Sequence, residues 1–251
     1  MATTPPKIFW DNRFKDAVPV ASSTAAGYDV LNIRDFYPFT WHKFVAMPGT
    51  ITVNCGSVKS ADSLYVHGHD LGTQGATVEV RRSNDNFAAN DVLVASHTPA
   101  DDEPFLLQWA SVSNQYWRLR FTGATAVMIA IAALGVALAF PRYLALGFDP
   151  LARTPKGSNN RTEKGHPLGN VIEFEEWSAQ MTFNRILQSW VRDTFKPAWK
   201  AHLRSQPFGL AWDPADHADE LYLVASDRGF NAPPISGDLC NLSFKVFGVA
   251  P

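Results

Sequence analysis

The sequence predicts a mainly β protein, with an N-terminal antiparallel β-sandwich followed by a smaller α+β domain. Three observations carry this. From about Asp11 to Phe140, short runs alternate apolar and polar residues, separated by Gly, Asn, Asp and Ser. No long amphipathic helix interrupts that half. Past Pro141 the character changes, and one stretch with apolar residues four apart stands among further strand-like runs. The division predicted is 1–140 and 141–251.

In the first half, Ile51-Thr-Val-Asn alternates after the turn Pro48-Gly49, and Leu64-Tyr-Val-His after a Ser/Asp turn. Thr77-Val-Glu-Val-Arg-Arg puts Val78 and Val80 on one face. Tyr116-Trp-Arg-Leu-Arg-Phe turns Trp117, Leu119 and Phe121 inward and Arg118 and Arg120 outward. Residues 124–140 carry no charge but are short for a membrane span and end at Pro141-Arg142. A doubly buried strand or a strand pair is the preferred reading.

In the second half, residues 153–169 are rich in Gly, Pro and Asn without periodicity, which predicts a long polar loop. Residues 170–183 read as extended, with a phase slip at Glu175-Glu176 that calls for a β-bulge or tight reversal. Asn184 is a candidate cap for a helix over about 184–203, where Leu187, Val191, Phe195, Trp199 and Leu203 recur at spacing four. Pro197 should kink or break it near Phe195-Lys196. Strand candidates follow at Phe208–Trp212, Glu220–Val224 and Leu239–Phe247.

Composition excludes several functions. The 251 residues are 46% apolar and 18% charged, enough apolar surface to exclude a disordered chain. A net charge of −2 gives no basic footprint for nucleic acid or anionic membrane. Two cysteines, Cys55 and Cys240, are too few for a disulfide scaffold and are expected to be free thiols. The opening residues lack the pattern of a secretory signal.

Chemistry-bearing patterns are sparse. The best metal candidates are His67, His69 and Asp70, alternate donors at a strand end. The preferred reading is a strand running into a glycine turn, with no bound metal or cofactor. Gly68, Gly72 and Gly75 precede a strand, so no helix N-terminus is there to hold phosphate. Glu173 with Glu175, and Asp101-Asp102-Glu103, could in principle pair for glycoside cleavage, but solvated positions explain them better and no enzyme is expected. Trp41 and Trp109 are the tryptophans not clearly assigned to a core, and hence the candidates for stacking on a sugar.

The ordered series Tyr65-Val-His-Gly-His-Asp-Leu-Gly-Thr-Gln-Gly-Ala-Thr-Val-Glu-Val, Ser83-Asn-Asp-Asn and Tyr116-Trp-Arg-Leu-Arg-Phe resembles the discoidin-type, galactose-binding-like jelly roll. Asp70 stands where that turn commonly has Asn. Joined to Gln206-Pro-Phe-Gly-Leu-Ala-Trp-Asp-Pro and Glu220-Leu-Tyr-Leu-Val, the series resembles tail-tip (distal tail) proteins of long-tailed bacteriophages. The resemblance implies a virion structural protein assembled in the bacterial cytoplasm. It would form a closed symmetric ring that joins the tail tube to the adsorption apparatus and hub proteins. Arg161, Glu163 and Lys164, in the polar stretch, are the candidate interface residues. The alternative is a carbohydrate-binding module contacting host-surface glycan.

Overall fold

A computed structural model describes residues 4–249; Met1–Thr3, part of the opening segment read for a signal, and residues 250 and 251 lie outside the described residues. As predicted, the chain is mainly β, in two antiparallel sheets. In chain order the strands begin with β1 (Lys7–Phe9), β2 (Val20–Ala21), β3 (His42–Lys43), β4 (Gly49–His69) and β5 (Thr77–Ser83). They continue with β6 (Val92–His97), β7 (Phe105–Thr122), β8 (Met128–Gly135), β9 (Leu138–Ala139) and β10 (Thr154–Arg161). The last are β11 (Pro167–Leu187), β12 (Phe208–Ala211), β13 (Leu221–Asn231), β14 (Pro234–Ser236) and β15 (Leu239–Val249).

The first sheet runs β3-β8-β4-β7-β5-β6, with β2 also on β4. Its two long strands, β4 and β7, pair along most of their length but shift register between Asn54 and Lys59 and again between Ala61 and Ser63. Such irregularities bend and twist a ladder. Ile51 and Val53 before the bend, and Leu64 and Val66 after it, therefore enter one core with Val78, Val80, Trp117 and Leu119. The sheet is folded over itself as a sandwich.

The second sheet runs β10-β11-β15-β13-β12-β1-β9, with β14 on β15. The two sheets exchange strands across residue 140. β1 pairs with β12 and β9, so Lys7–Phe9 and Leu138–Ala139 belong to the second sheet. The uncharged run 124–140 is accordingly two strands, β8 in one sheet and β9 in the other. No helix among the described residues is long and apolar enough to cross a membrane. Phe140 ends in the second core, stacked 4.1 Å from Phe183 and ringed by Trp190, Phe195 and Phe244.

The helical segment begins at 188, not 184. Residues 184–187 still belong to β11, where Ile186 opposes Cys240 and Leu187 opposes Leu239. Asn184 therefore caps nothing. Pro197 does not break the helix either: two π-helical turns, Val191–Phe195 and Trp199–Leu203, enclose Lys196–Ala198. An α-helix advances roughly 40° beyond a full turn every four residues, whereas wider turns cut that drift. Val191, Phe195, Trp199 and Leu203 thus stay on the buried side, while Leu187 lies exposed outside the helix.

The cores meet at a third cluster made of Phe9, Phe36, Tyr65, Ile131, Ala133, Ala211 and Leu221. Tyr65 is fully buried there, stacked on Phe9 at 5.8 Å, and a side chain at Gly209 would strike its ring. Its hydroxyl has no hydrogen-bond partner. A buried unpartnered hydroxyl costs about 1–3 kcal/mol. Tyr65→Phe is therefore expected to raise stability by about 1 kcal/mol, measured as a higher urea midpoint; a lowered midpoint would contradict this.

Candidate functional site

Two surfaces stand out once the fold is set. The first is a groove of about 460 Å³ on the outer face of the sandwich. Alternation builds its floor: Ile51, Val53 and Trp117 point inward, so Thr52, Asn54, Tyr116 and Arg118 point out. Across the ladder, Asn54 opposes Tyr116 and Thr52 opposes Arg118. β2 forms one wall through Val20, which opposes Thr52.

The other wall is the turn after β5. Asn86 and Phe87 both adopt left-handed backbone, with φ of 56° and 62°. Consecutive non-glycine residues there are strained and need support. Ser83 Oγ accepts from the Phe87 N–H at 3.0 Å, and Asp85 Oδ2 accepts from the Ala89 N–H at 3.0 Å, so the turn is pinned. It places Asn86 on the groove and Phe87 under the Arg118 guanidinium, 3.7 Å from the ring centroid. Arg118 Nε also donates to Thr52 Oγ1 at 3.0 Å, and its guanidinium lies 3.8 Å from Asp91.

The second surface is an arm. The stretch 153–169, expected as a loop, forms a β-hairpin of β10 with the first half of β11. The polar residues set no periodicity because neither face is buried, which removed the usual strand signal. The ribbon runs from Thr154 opposite Glu176 to Arg161 opposite Pro167, beyond Glu176–Val249, where β15 ends. The phase slip expected at Glu175-Glu176 occurs at Glu173, between Phe174 opposite Lys156 and Ile172 opposite Gly157. Only glycine fits at 157, because a Cβ would lie 1.8 Å from the Val171 carbonyl oxygen. After the bulge, Val171 returns to the face of Phe174 and Ile172 lies on the other. Ile172 is 60% exposed and Phe174 52%, with Leu168 and Val171 similarly open. Arg161, Glu163 and Lys164 sit at the exposed tip.

Several of the other candidate residues are engaged within the fold. Gly68, at φ 64°, reverses the face of β4. His67 consequently packs on Tyr65 at the junction, and His69 on Phe105. The two imidazoles face opposite sides of the sheet and cannot share an ion. His69 Nε2 meets the Glu103 carbonyl at 2.8 Å while Nδ1 accepts from the Leu71 N–H. Asp70 Oδ1 accepts from the Met128 N–H at 2.7 Å. Among the described residues no group of three or more metal-ligating side chains occurs. Trp41 is half-buried against the junction, and Trp109 is half-buried against the first core and donates Nε1–H to the Ala61 carbonyl at 3.0 Å. Glu173 and Glu175 lie exposed on the arm, and Asp101 and Asp102 accept turn hydrogen bonds. Cys55 and Cys240 are free and lie in different cores, and burial pushes the Cys55 thiol up to about 12. Sequence reasoning missed the groove, because alternation marks residues as outward without saying which outward residues a loop will wall in.

Burial holds His67 and His202 down to about 4, His67 helped by His69 and His202 by Lys15. Both are neutral when folded, so on acidification the unfolded chain takes up these protons first. Stability is expected to be full above about pH 6.5, to fall as the pH drops toward 4, and to level below. Denaturant midpoints across that range check this, with His202→Gln flattening the slope. A midpoint constant from pH 7 to 4 would refute it.

No protein-family model matches the chain, and no curated protein matches it. Among solved structures it is similar to chitosan-binding module 1 of a chitosanase/glucanase from Paenibacillus sp. IK-5, at 18% identity and TM-score 0.42. That match covers 49% of this chain and 97% of the module. A pectin-binding carbohydrate-binding module is similar at 19% identity and TM-score 0.41, over 50% of this chain and 94% of that one. The family 32 carbohydrate-binding module of C. perfringens NanJ, solved with galactose, is similar at 13% identity and TM-score 0.42, over 51% and 98%. At such scores the likeness assigns no binding site to this chain.

Proposed function

We propose that the chain is a non-catalytic structural subunit that assembles with copies of itself through the arm 154–176. The observation that carries this is a two-stranded ribbon with apolar side chains exposed on both faces, whose strands, among the described residues, pair only with each other up to Glu176, where β15 joins. Such a ribbon is marginal in water alone, and exposed apolar clusters of this kind mark contact sites. The occupant that fits is a second copy. A cavity of about 550 Å³ beside the helical segment is lined by Leu203 and Phe247 with Arg204 and Arg228, and by no carboxylate. The arm offers the complement, Phe174 flanked by Glu173 and Glu175. A contact from the arm of one copy to the cavity of the next is head-to-tail, and such contacts form a ring when the rotation closes.

The finer form of this reading is a distal-tail adaptor in a phage virion, joining tail tube to adsorption apparatus. It rests on the sequence resemblance of the turn within 65–80 joined to 206–214 and 220–224; the solved structures named above are sugar-binding modules and none is a tail protein. Antibody labelling of tailed particles tests it, with label at the tail tip expected and unlabelled tips counting against it. Light scattering on the purified chain tests the coarser reading. A closed oligomer is expected, and a monomer at about 50 μM, well above the dissociation constant of a stable assembly, would overturn it. The alternative reading is a carbohydrate-binding module, and a stable monomer that binds glycan would favour it over the assembly reading.

A further inference from the structure

The head-to-tail contact uses one face of the arm and leaves the other open. We propose that this second face packs, about a two-fold axis, on the same face of an arm from another copy, so that assembled rings are held in pairs. The pairing rests on the reading of the arm as the assembly device and gives that arm a second contact.

Alternation and the two bulges sort the side chains. Phe174, Val171 and Lys156 share the first face, and Glu176 stands with them, in an ion pair with Lys156 at 3.7 Å. The second face takes the intervening positions: Glu175, Ile172 and Asn170 on β11, with Pro155, Gly157, Asn159 and Arg161 on β10. Leu168, the extra residue of the bulge near the tip, joins them. The middle of this face is apolar and open. Ile172 and Leu168 are both more than half exposed, and Gly157 adds no side chain opposite Ile172. Its charges sit at the ends, Glu175 at the root and Arg161 at the tip.

That pattern is self-complementary in one orientation. A two-fold axis lying across the ribbon sets the tip of each arm over the root of the other. Ile172 then meets Ile172 of the other copy beside the axis, because it stands level with Gly157 near the midpoint of Thr154–Arg161. Leu168 lies over Pro155 of the other copy, and Arg161 over Glu175. An axis along the ribbon would instead bring Arg161 to Arg161 and Glu175 to Glu175, so charge selects the first arrangement. Contacts of this kind, with the same patch on both partners, form closed pairs.

Size decides where the pairing happens. An eight-residue ribbon is about 27 Å long and, with two strands, about 10 Å wide, so one pair of arms covers about 500 Å² in total. A stable complex needs about 1,200 Å² or more. Two free monomers therefore do not hold together through one such contact, whereas two rings make several at once and gain from the linkage.

Native mass spectrometry and sedimentation velocity on the full chain test this. The unaltered protein is expected to be a pair of rings. Ile172→Asp and Arg161→Glu are each expected to halve its mass and leave a single ring, while Phe174→Ser leaves monomer. Under mild oxidation Ile172→Cys should link copies into disulfide pairs, with Cys55 and Cys240 buried away from the reaction. Val171→Cys, on the first face, should not. An unpaired ring in the unaltered chain, a ring pair that survives Ile172→Asp, or a fall of Ile172→Asp to monomer would each overturn the pairing. So would an absent disulfide in Ile172→Cys, or an equal yield from Val171→Cys. Unpaired rings leave the assembly reading standing, whereas an unaltered chain that stays monomeric ends both, so the two failures are told apart.

Discussion

Replacing Ile172 and Phe174 together by serine is expected to convert the assembled protein to monomer without unfolding it. The two side chains lie on opposite faces of the arm, more than half exposed, so neither contributes to a core of its own chain. In the proposed assembly both are covered. Burying a side chain of this size is worth about 1.5–3 kcal/mol, so the pair accounts for about 3–6 kcal/mol per interface, or about 10²- to 10⁴-fold in dissociation constant. Sedimentation velocity should show the oligomer for the unaltered chain and the monomer for the variant. Circular dichroism should stay unchanged, because both cores lie outside the ribbon, while the urea midpoint should fall to the value of the monomer alone and lose its dependence on protein concentration. An oligomer that survives the double change would remove the arm from the interface.

Phe140→Ala is expected to be the most destabilising single truncation in the second core. The ring is fully buried, lies parallel to Phe183 at 4.1 Å, and also meets Trp190, Phe195 and Phe244. Truncating a buried Phe costs about 3–5 kcal/mol through lost transfer and the cavity left behind. The stacked partners would lose further contact geometry worth about 0.5–1.5 kcal/mol per pair. Urea unfolding followed by tryptophan fluorescence measures it, and a loss below about 1.5 kcal/mol, typical of a well-tolerated core swap, would show that the cluster repacks. The same geometry predicts that a fragment ending at residue 140 aggregates, since it leaves β1, β9 and Phe140 without their sheet.

These two expectations draw on different kinds of information. The strands Thr77–Arg82 and Tyr116–Phe121 were legible because a half-buried strand writes period two into its residues, and Trp117, Leu119, Val78 and Val80 all enter the core that alternation assigns them. The stripe Val191, Phe195, Trp199, Leu203 was legible in the same way, although Leu187 was not part of it. The arm was invisible for the converse reason. A ribbon solvated on both faces imposes no alternation, and its Gly, Asn and Pro content imitates a loop.

The candidate site divides along the same line. Outward positions such as Thr52, Asn54 and Arg118 follow from alternation alone, but a groove exists only because a turn from another part of the chain stands beside them. His67 and His69 give the opposite case: two residues apart, they belong together by periodicity, and one left-handed glycine at 68 sends them to opposite faces. The sequence by itself determined that the protein is β-rich, that the alternating side chains Val78, Val80, Trp117 and Leu119 turn into a core, and that a helical stripe lies in the second half. Only the tertiary structure decided that Lys7–Phe9 and Leu138–Ala139 complete the second sheet, that residues 154–176 project as an arm, and that Asn86 and Tyr116 line one groove. Local pattern records whether a position is wet or dry, whereas pairing between distant segments depends on loop closure and register, which no short window of residues contains.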